Sequence, residues 1–245
     1  MRLPNLEAYH RPRSMDEALL LAKSPGARVL GGGTRLVASR DPAVKSLVDV
    51  GRLGLDRLET AGREISIGAT VRVQRLCDEP EPIGPAARRT SFSRMKRNQA
   101  TVAGEVIAAG EDAFLATLFL AAGATLELAG GAKVPLESFH GNRPTGIVTR
   151  IAFDRPETWG FEELSTMPSA TPIVLVAGAR KRGKWRFSVS GGIPVPVAAE
   201  SASGAAAPDA VASIYAPPDR PWATQGYAIE MARVLTRRLV ERLER

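Results

Sequence analysis

The sequence predicts a mixed α+β fold, and three observations predict it. Helix and strand signatures are interleaved along all 245 residues, with no internal repeat. The composition shifts after Phe153, and residues 158–172 read as an irregular boundary between two regions. A length of 245 residues suits one large domain or two smaller ones, because single cores stop growing at roughly 250–300 residues.

Each element has a local reason. Ser14-Met15-Asp16-Glu17 is an S-x-x-E capping box ahead of the apolar run 18–22, and Pro25-Gly26 stops that helix. Residues 27–30 read as a short buried strand entering three glycines, and 46–50 as another strand. Glu64 to Thr70, EISIGAT, alternates and reads as a half-buried strand. Residues 73–78 and 83–92 read as helices, and the apolar 112–122 as a buried helix ended by Gly123. Residues 125–128 and 134–139 read as a hairpin, 147–153 as a strand, and 173–180 with 185–190 as a second hairpin. His140 falls in a loop on this reading. Residues 198–212, almost all Ala, Ser, Gly and Pro, read as a loop or linker. From Trp222 a final helix carries Tyr227, Met231, Val234, Leu235, Leu239 and Leu243 on one stripe.

Composition narrows the function. One cysteine, Cys77, and two histidines, His10 and His140, argue against a protein-only zinc or iron–sulfur site. No run of about 18 apolar residues exists, and the opening MRLPNLEAYHRP lacks a long apolar stretch. The expectation is a cytoplasmic chain without membrane insertion. The net charge of +7 permits nucleic-acid binding. Against it, aromatics are only 5% of residues and no nucleic-acid motif is present, so the expectation is no nucleic-acid partner. An acidic partner subunit or a phosphorylated ligand accounts for the charge equally well.

Two segments carry the chemistry. In VLGGGTRLV, residues 29–37, Gly31, Gly32 and Gly33 have no Cβ, so a ligand can approach the backbone and consecutive N–H groups can converge on an anion. The alternative is a tight strand-to-helix turn with no ligand. The segment lacks the Gly-Lys-Ser/Thr of a P-loop and the G-x-G-x-x-G of a Rossmann turn. The second segment is KRNQATVAGEVIAAGED, residues 96–112. Residues 99–102 can be extended, Thr101 can donate to phosphate, and Glu105 and Asp112 can accept from sugar-chain hydroxyls. A bend before a core helix is the competing reading.

Taken together, these segments resemble the flavin-binding subunit of the molybdenum hydroxylases, the xanthine dehydrogenase and carbon-monoxide dehydrogenase family. Gly31-Gly32-Gly33-Thr34-Arg35-Leu36 is similar to its A-G-G-T-D-L loop, and residues 95–105 to its I-R-N-x-A-T-V-G-G-N loop. Tyr9, Pro12 and residues 14–18 resemble its opening helix; residues 47–50 and 65–70 resemble its V-D-I and I-G-A-x-T stretches. The resemblance implies a two-lobed PCMH-type FAD-binding domain over residues 1–157 and a small α+β C-terminal domain over 158–245. It implies FAD held by Gly31, Gly32, Gly33, Thr34, Arg35 and Leu36 on one side and Thr101, Ala103, Gly104 and Glu105 on the other. Asp112 takes the place of a sugar-contacting aspartate, and Ile147 and Val148 lie against the flavin ring. No catalytic acid or base and no metal ligand is required of this chain. The implied partners are a molybdopterin-binding large subunit and an iron–sulfur small subunit, with electrons passing through the flavin to an acceptor. Several positions depart from the pattern. Ala103 replaces a glycine, Glu105 an asparagine and Arg35 an aspartate; Gly146 stands where an acidic residue is usual, and the S-P-x-x-D loop is shortened. These departures support an alternative, a flavin-free homologue acting as an interaction or assembly subunit.

Overall fold

The computed structural model describes residues 3–142 and 146–245. In chain order the first elements are β1 (Ala8–His10), α1 (Met15–Ala22), β2 (Ala27–Leu30), α2 (Leu36–Ser39), β3 (Ser46–Asp49), β4 (Leu58–Ala61) and β5 (Glu64–Gly68). Then come α3 (Val73–Leu76), α4 (Ile83–Thr90), α5 (Arg94–Gln99), α6 (Val102–Ala108), α7 (Phe114–Ala121), β6 (Thr125–Leu128), β7 (Lys133–Pro135), α8 (Leu136–Asn142) and β8 (Val148–Asp154). The chain ends with β9 (Thr158–Leu164), β10 (Val174–Lys181), β11 (Lys184–Ser190), β12 (Val197–Ser201), α9 (Ala207–Ile214) and α10 (Gln225–Leu243).

By contact the chain forms two compact units. The first holds Met1–Arg75, Ser93–Ala108 and Thr125–Ala152; the second holds Leu76–Phe92, Ala109–Ala124 and Phe153–Arg245. In the first unit, a three-stranded parallel sheet runs β1-β3-β2, and a five-stranded sheet runs β4-β5-β8-β6-β7. The N-cap forms, with Ser14 Oγ accepting from Glu17 N at 3.2 Å, while Glu17 Oε2 reaches one residue further back than a capping box requires and accepts from Arg13 N at 2.7 Å. Ala18 and Ala27 pack with Val48, Val50 and Ile147 in one apolar cluster.

In the second unit an antiparallel sheet runs β12-β11-β10-β9. One face meets α9 and α10 through Val174, Val176, Trp185, Phe187, Leu235 and Leu239. The other face meets α7, where Ser188 Oγ donates to the Thr117 carbonyl at 2.5 Å and the Thr117 and Ser190 hydroxyls lie 2.7 Å apart. Gly160 and Gly178 sit opposite each other on β9 and β10, leaving room for Leu239: a Cβ at Gly178 would lie 2.6 Å from Phe187 and 3.1 Å from Leu239.

Several expectations are corrected. Residues 158–164, read as irregular, form the edge strand β9, with Trp159 and Phe161 supplying β-favouring side chains. The Ala-rich 198–212 stretch forms β12 and α9, because its small residues pack: Ala207 and Val211 are fully buried. Residues 136–139 belong to α8, so His140 is helical, its Nε2 2.9 Å from the Val106 carbonyl. On α10 the buried stripe is Ala228, Ala232, Leu235, Thr236, Leu239 and Val240, and Tyr227 is 45% exposed. Leu235 and Leu239 of the expected stripe are buried, and Met231 and Leu243 pack against the same core; Ala228, Ala232, Thr236 and Val240 complete the contact in place of Tyr227 and Val234.

Candidate functional site

β2 delivers Gly31, Gly32, Gly33 and Thr34 to its carboxyl end, and α2 begins at Leu36. Gly33 has a φ of +72°, a left-handed conformation that glycine adopts without steric cost. Gly31 and Gly32 are needed for a different reason, since the second segment lies directly against them. A Cβ on Gly31 would lie 2.6 Å from Thr101 Oγ1. One on Gly32 would overlap the Gln99 carbonyl and lie 3.0 Å from Ala100 Cα. The structure therefore brings Gly31–Leu36 and Thr101–Glu105 together, about seventy residues apart in sequence.

The main-chain donors divide unequally between the two segments. Among the described residues, nothing accepts a hydrogen bond from the N–H groups of Gly32, Gly33 or Thr34, and all three residues are half-buried. Unbonded amide groups on consecutive residues can bind an anion where they converge. In the second segment the donors from Val102 to Glu105 are engaged. Val102 N donates to the Val71 carbonyl at 2.8 Å and Ala103 N to the Ala69 carbonyl at 3.3 Å. Gly104 N donates to Thr101 Oγ1 at 3.3 Å and Glu105 N to the Thr101 carbonyl at 3.0 Å. The expected extended stretch 99–102 is instead a one-step hinge. α5 ends at Gln99, Ala100 is extended, and α6 begins at Val102. Thr101 is 2% exposed and caps α6.

The two departures Arg35 and Glu105 contact each other. Arg35 Nε donates to Glu105 Oε2 at 2.8 Å, and its second nitrogen lies 2.8 Å from the same oxygen. Thr34 Oγ1 donates to Glu105 Oε1 at 3.3 Å. The Glu105 side chain is 3% exposed and that of Arg35 25%. A carboxylate this buried is tolerated because a cation and a hydroxyl occupy its two oxygens.

The remaining predicted residues are placed as follows. Leu36 packs beside Leu3, Val44 and Leu47, and Ala103 is buried. Ile147 is fully buried in the cluster with Ala18, Ala27, Val48 and Val50, and Val148 opens β8. Gly146, where the resembled pattern has an acid, has a φ of +147°, which disfavours any side chain there. Asp112 lies in the second unit, just before α7, and its carbonyl accepts from Phe114 N. Its neighbour Glu111 is gripped by Arg220 through two guanidinium nitrogens, and this hydrogen-bonded pairing holds the Glu111 carboxyl below its usual range.

Sequence reasoning missed three contributors. Arg72 donates to the Gln99 carbonyl and bridges to Thr101, holding the second segment in place. Thr70 has a buried hydroxyl with no partner among the described residues, next to the Ala69 carbonyl that receives Ala103. Arg220 anchors the loop that carries Asp112. Arg72 and Arg220 lie in no motif, and Thr70 closes the 65–70 stretch without a role assigned to it, so only long-range contacts could reveal them. A separate cavity of about 260 Å³ opens beside β4, β5 and β8, lined by Arg57, Glu59, Ser66, Gly68, Thr149 and Arg150. It contains none of the predicted residues. Among the described residues there is no cluster of metal-ligating side chains and no helix long and apolar enough to cross a membrane.

Fold and site together define a flavin-domain architecture: a glycine turn at the end of a parallel strand, laid on a threonine-bearing hinge. The model of the FAD binding domain in molybdopterin dehydrogenase matches residues 4–153, and the chain belongs to that family, whose cofactor is FAD. The chain is 29% identical over 182 residues to the uncharacterized protein YgfM of Escherichia coli K12, covering 71% of this chain and 70% of that one. Among solved structures, carbon monoxide dehydrogenase from Hydrogenophaga pseudoflava superposes with a TM-score of 0.84 at 23% identity, over 100% of this chain and 99% of that chain. Quinoline 2-oxidoreductase from Pseudomonas putida 86 gives 0.83 at 20% identity, over 99% and 98%. The fold is therefore the expected α+β flavin-domain fold.

Proposed function

We propose that this chain is the FAD-carrying electron-transfer subunit of a molybdopterin-dependent hydroxylase or dehydrogenase. The observation that carries the reading is the run of three half-buried, unbonded N–H groups from Gly32 to Thr34, backed by main chain that leaves no room for a Cβ. Those groups would hold one phosphate of the dinucleotide. Thr101, lying directly under Gly31, would support the turn from behind. Bound FAD supplies two-electron and one-electron redox chemistry; the protein supplies binding, orientation and exclusion of water. In this reading electrons arrive from the iron–sulfur clusters of a small subunit, after a molybdopterin-binding large subunit oxidises the substrate, and leave to a separate acceptor. The cytoplasm is the compartment it implies. The family match ending at residue 153 supports a domain division at 157/158.

The engaged amides of Val102–Glu105 favour the flavin-free assembly subunit as the second reading. One experiment separates the two. The protein is purified without added cofactor, its visible spectrum recorded, and FAD titrated by fluorescence quenching. A yellow protein, or saturable uptake of FAD, is the expected result. No uptake at high micromolar FAD overturns the flavoprotein reading in favour of the second.

A further inference from the structure

We propose that Arg35 and Glu105 form an interloop clasp, in which Arg35 acts as a positioning residue toward the phosphate cradle and does not contact phosphate. The inference rests on the flavoprotein reading for its ligand. Three observations carry it. Both residues depart from the resembled pattern, at positions about seventy apart, and the structure places them in contact. Both carboxylate oxygens of Glu105 are taken by the first segment: Oε2 by Arg35 and Oε1 by Thr34. Finally, Thr34 is itself one of the residues with an unbonded N–H, so the hydroxyl bond to Glu105 fixes the cradle's rim to α6.

The chemistry follows from charge. A buried carboxylate beside an anion-binding turn would repel a diphosphate. Arg35 cancels that charge at 2.8 Å while its guanidinium stays directed at Glu105. Removing Arg35 leaves an uncompensated buried anion next to the cradle. Removing Glu105 also removes the need for Arg35. The pair therefore acts as one unit, and the effect of either change depends on the other.

The test is a double-mutant cycle. FAD and riboflavin are titrated by flavin fluorescence against the wild type, Arg35→Gln, Glu105→Asn and the double variant. Thermal unfolding of the same four proteins is measured without flavin, and Glu105→Gln serves as the second background if Glu105→Asn does not fold. Arg35→Gln alone is expected to weaken FAD about tenfold or more, yet to change it less than about threefold on the Glu105→Asn background. Riboflavin, which has no phosphate, should shift by less than about twofold throughout. Equal loss of FAD on both backgrounds would make Arg35 a direct phosphate contact and overturn the clasp, as would no loss on either. An equal loss of riboflavin overturns it too, because the change would then be general. If the wild type takes up no FAD, the flavoprotein reading falls separately. The unfolding cycle then decides the clasp: non-additive midpoint shifts retain it and additive shifts overturn it.

Discussion

Gly32 illustrates how one missing methyl can serve a site without touching its ligand. A Cβ there meets the Gln99 carbonyl and Ala100 Cα, which are main-chain atoms of a hinge held by Arg72. Neither can rotate aside, so the two segments must separate. Gly32→Ala should destabilise the protein by about 1–3 kcal/mol, as overpacking does, and should also abolish FAD uptake. Unfolding midpoints and a flavin titration check both; unchanged values for the two would show that the segments do not meet. Gly31 differs, because its obstacle is the Thr101 hydroxyl, a side chain. The contribution of these glycines was legible in the sequence only as permissiveness. That Gly31 and Gly32 lie against protein, while the amides from Gly32 to Thr34 find no acceptor among the described residues, depends on which segment packs behind them. The Arg35–Glu105 contact was illegible for the same reason: each residue read alone as an awkward substitution.

At the scale of elements, the sequence resolved what periodicity and capping control. The helix after Ser14, strands β2, β3 and β5, and the hairpin of β10 and β11 follow from local pattern. It missed elements whose stability comes from packing of small residues, such as β12 and α9, and short ones such as β1 and α2. Two elements make testable statements. Thr224 Oγ1 accepts from Tyr227 N at 3.2 Å as the N-cap of α10, so Thr224→Ala should cost about 1 kcal/mol, a drop of roughly 2–4 °C in midpoint. The loop before α7 is tied by Arg220 to Glu111, whose carboxyl is held below 4.5 by that hydrogen bond. A depressed carboxyl contributes stability above its unfolded value of 4.5, which is lost as pH falls through the lower folded value. Arg220→Gln should therefore lower the midpoint at neutral pH, and the difference should close well below pH 4.5. With the Glu111 side chain 42% exposed, the effect should stay under about 1 kcal/mol. A gap that persists in acid would assign the stabilisation to the bond from Arg220 to the Gly192 carbonyl instead.

Over the whole molecule, identities of 20–23% accompany superposition of essentially the entire chain, so the fold rests on few positions. The net charge of +7 is the property least constrained by that fold. Part of the arginine is engaged internally: Arg35, Arg89, Arg150, Arg186, Arg220 and Arg242 each pair with a glutamate. Cations neutralised by a neighbouring carboxylate release few counterions from a polyanion, whereas a nucleic-acid interface built on 6–10 phosphate contacts loses about 10³–10⁵ in affinity between 50 and 200 mM salt. Anisotropy titrations with a labelled generic duplex should therefore show weak binding at low salt and a shallow salt slope, equivalent to about one or two phosphate contacts. A slope near six would identify a coherent basic surface and reverse the assignment of the excess charge. On a shallow slope, the exposed Arg237 and Arg238 of α10 remain the cations suited to an acidic protein partner. Charge reversal of both should then weaken assembly with such a partner in co-purification while leaving the FAD titration of the isolated chain unchanged.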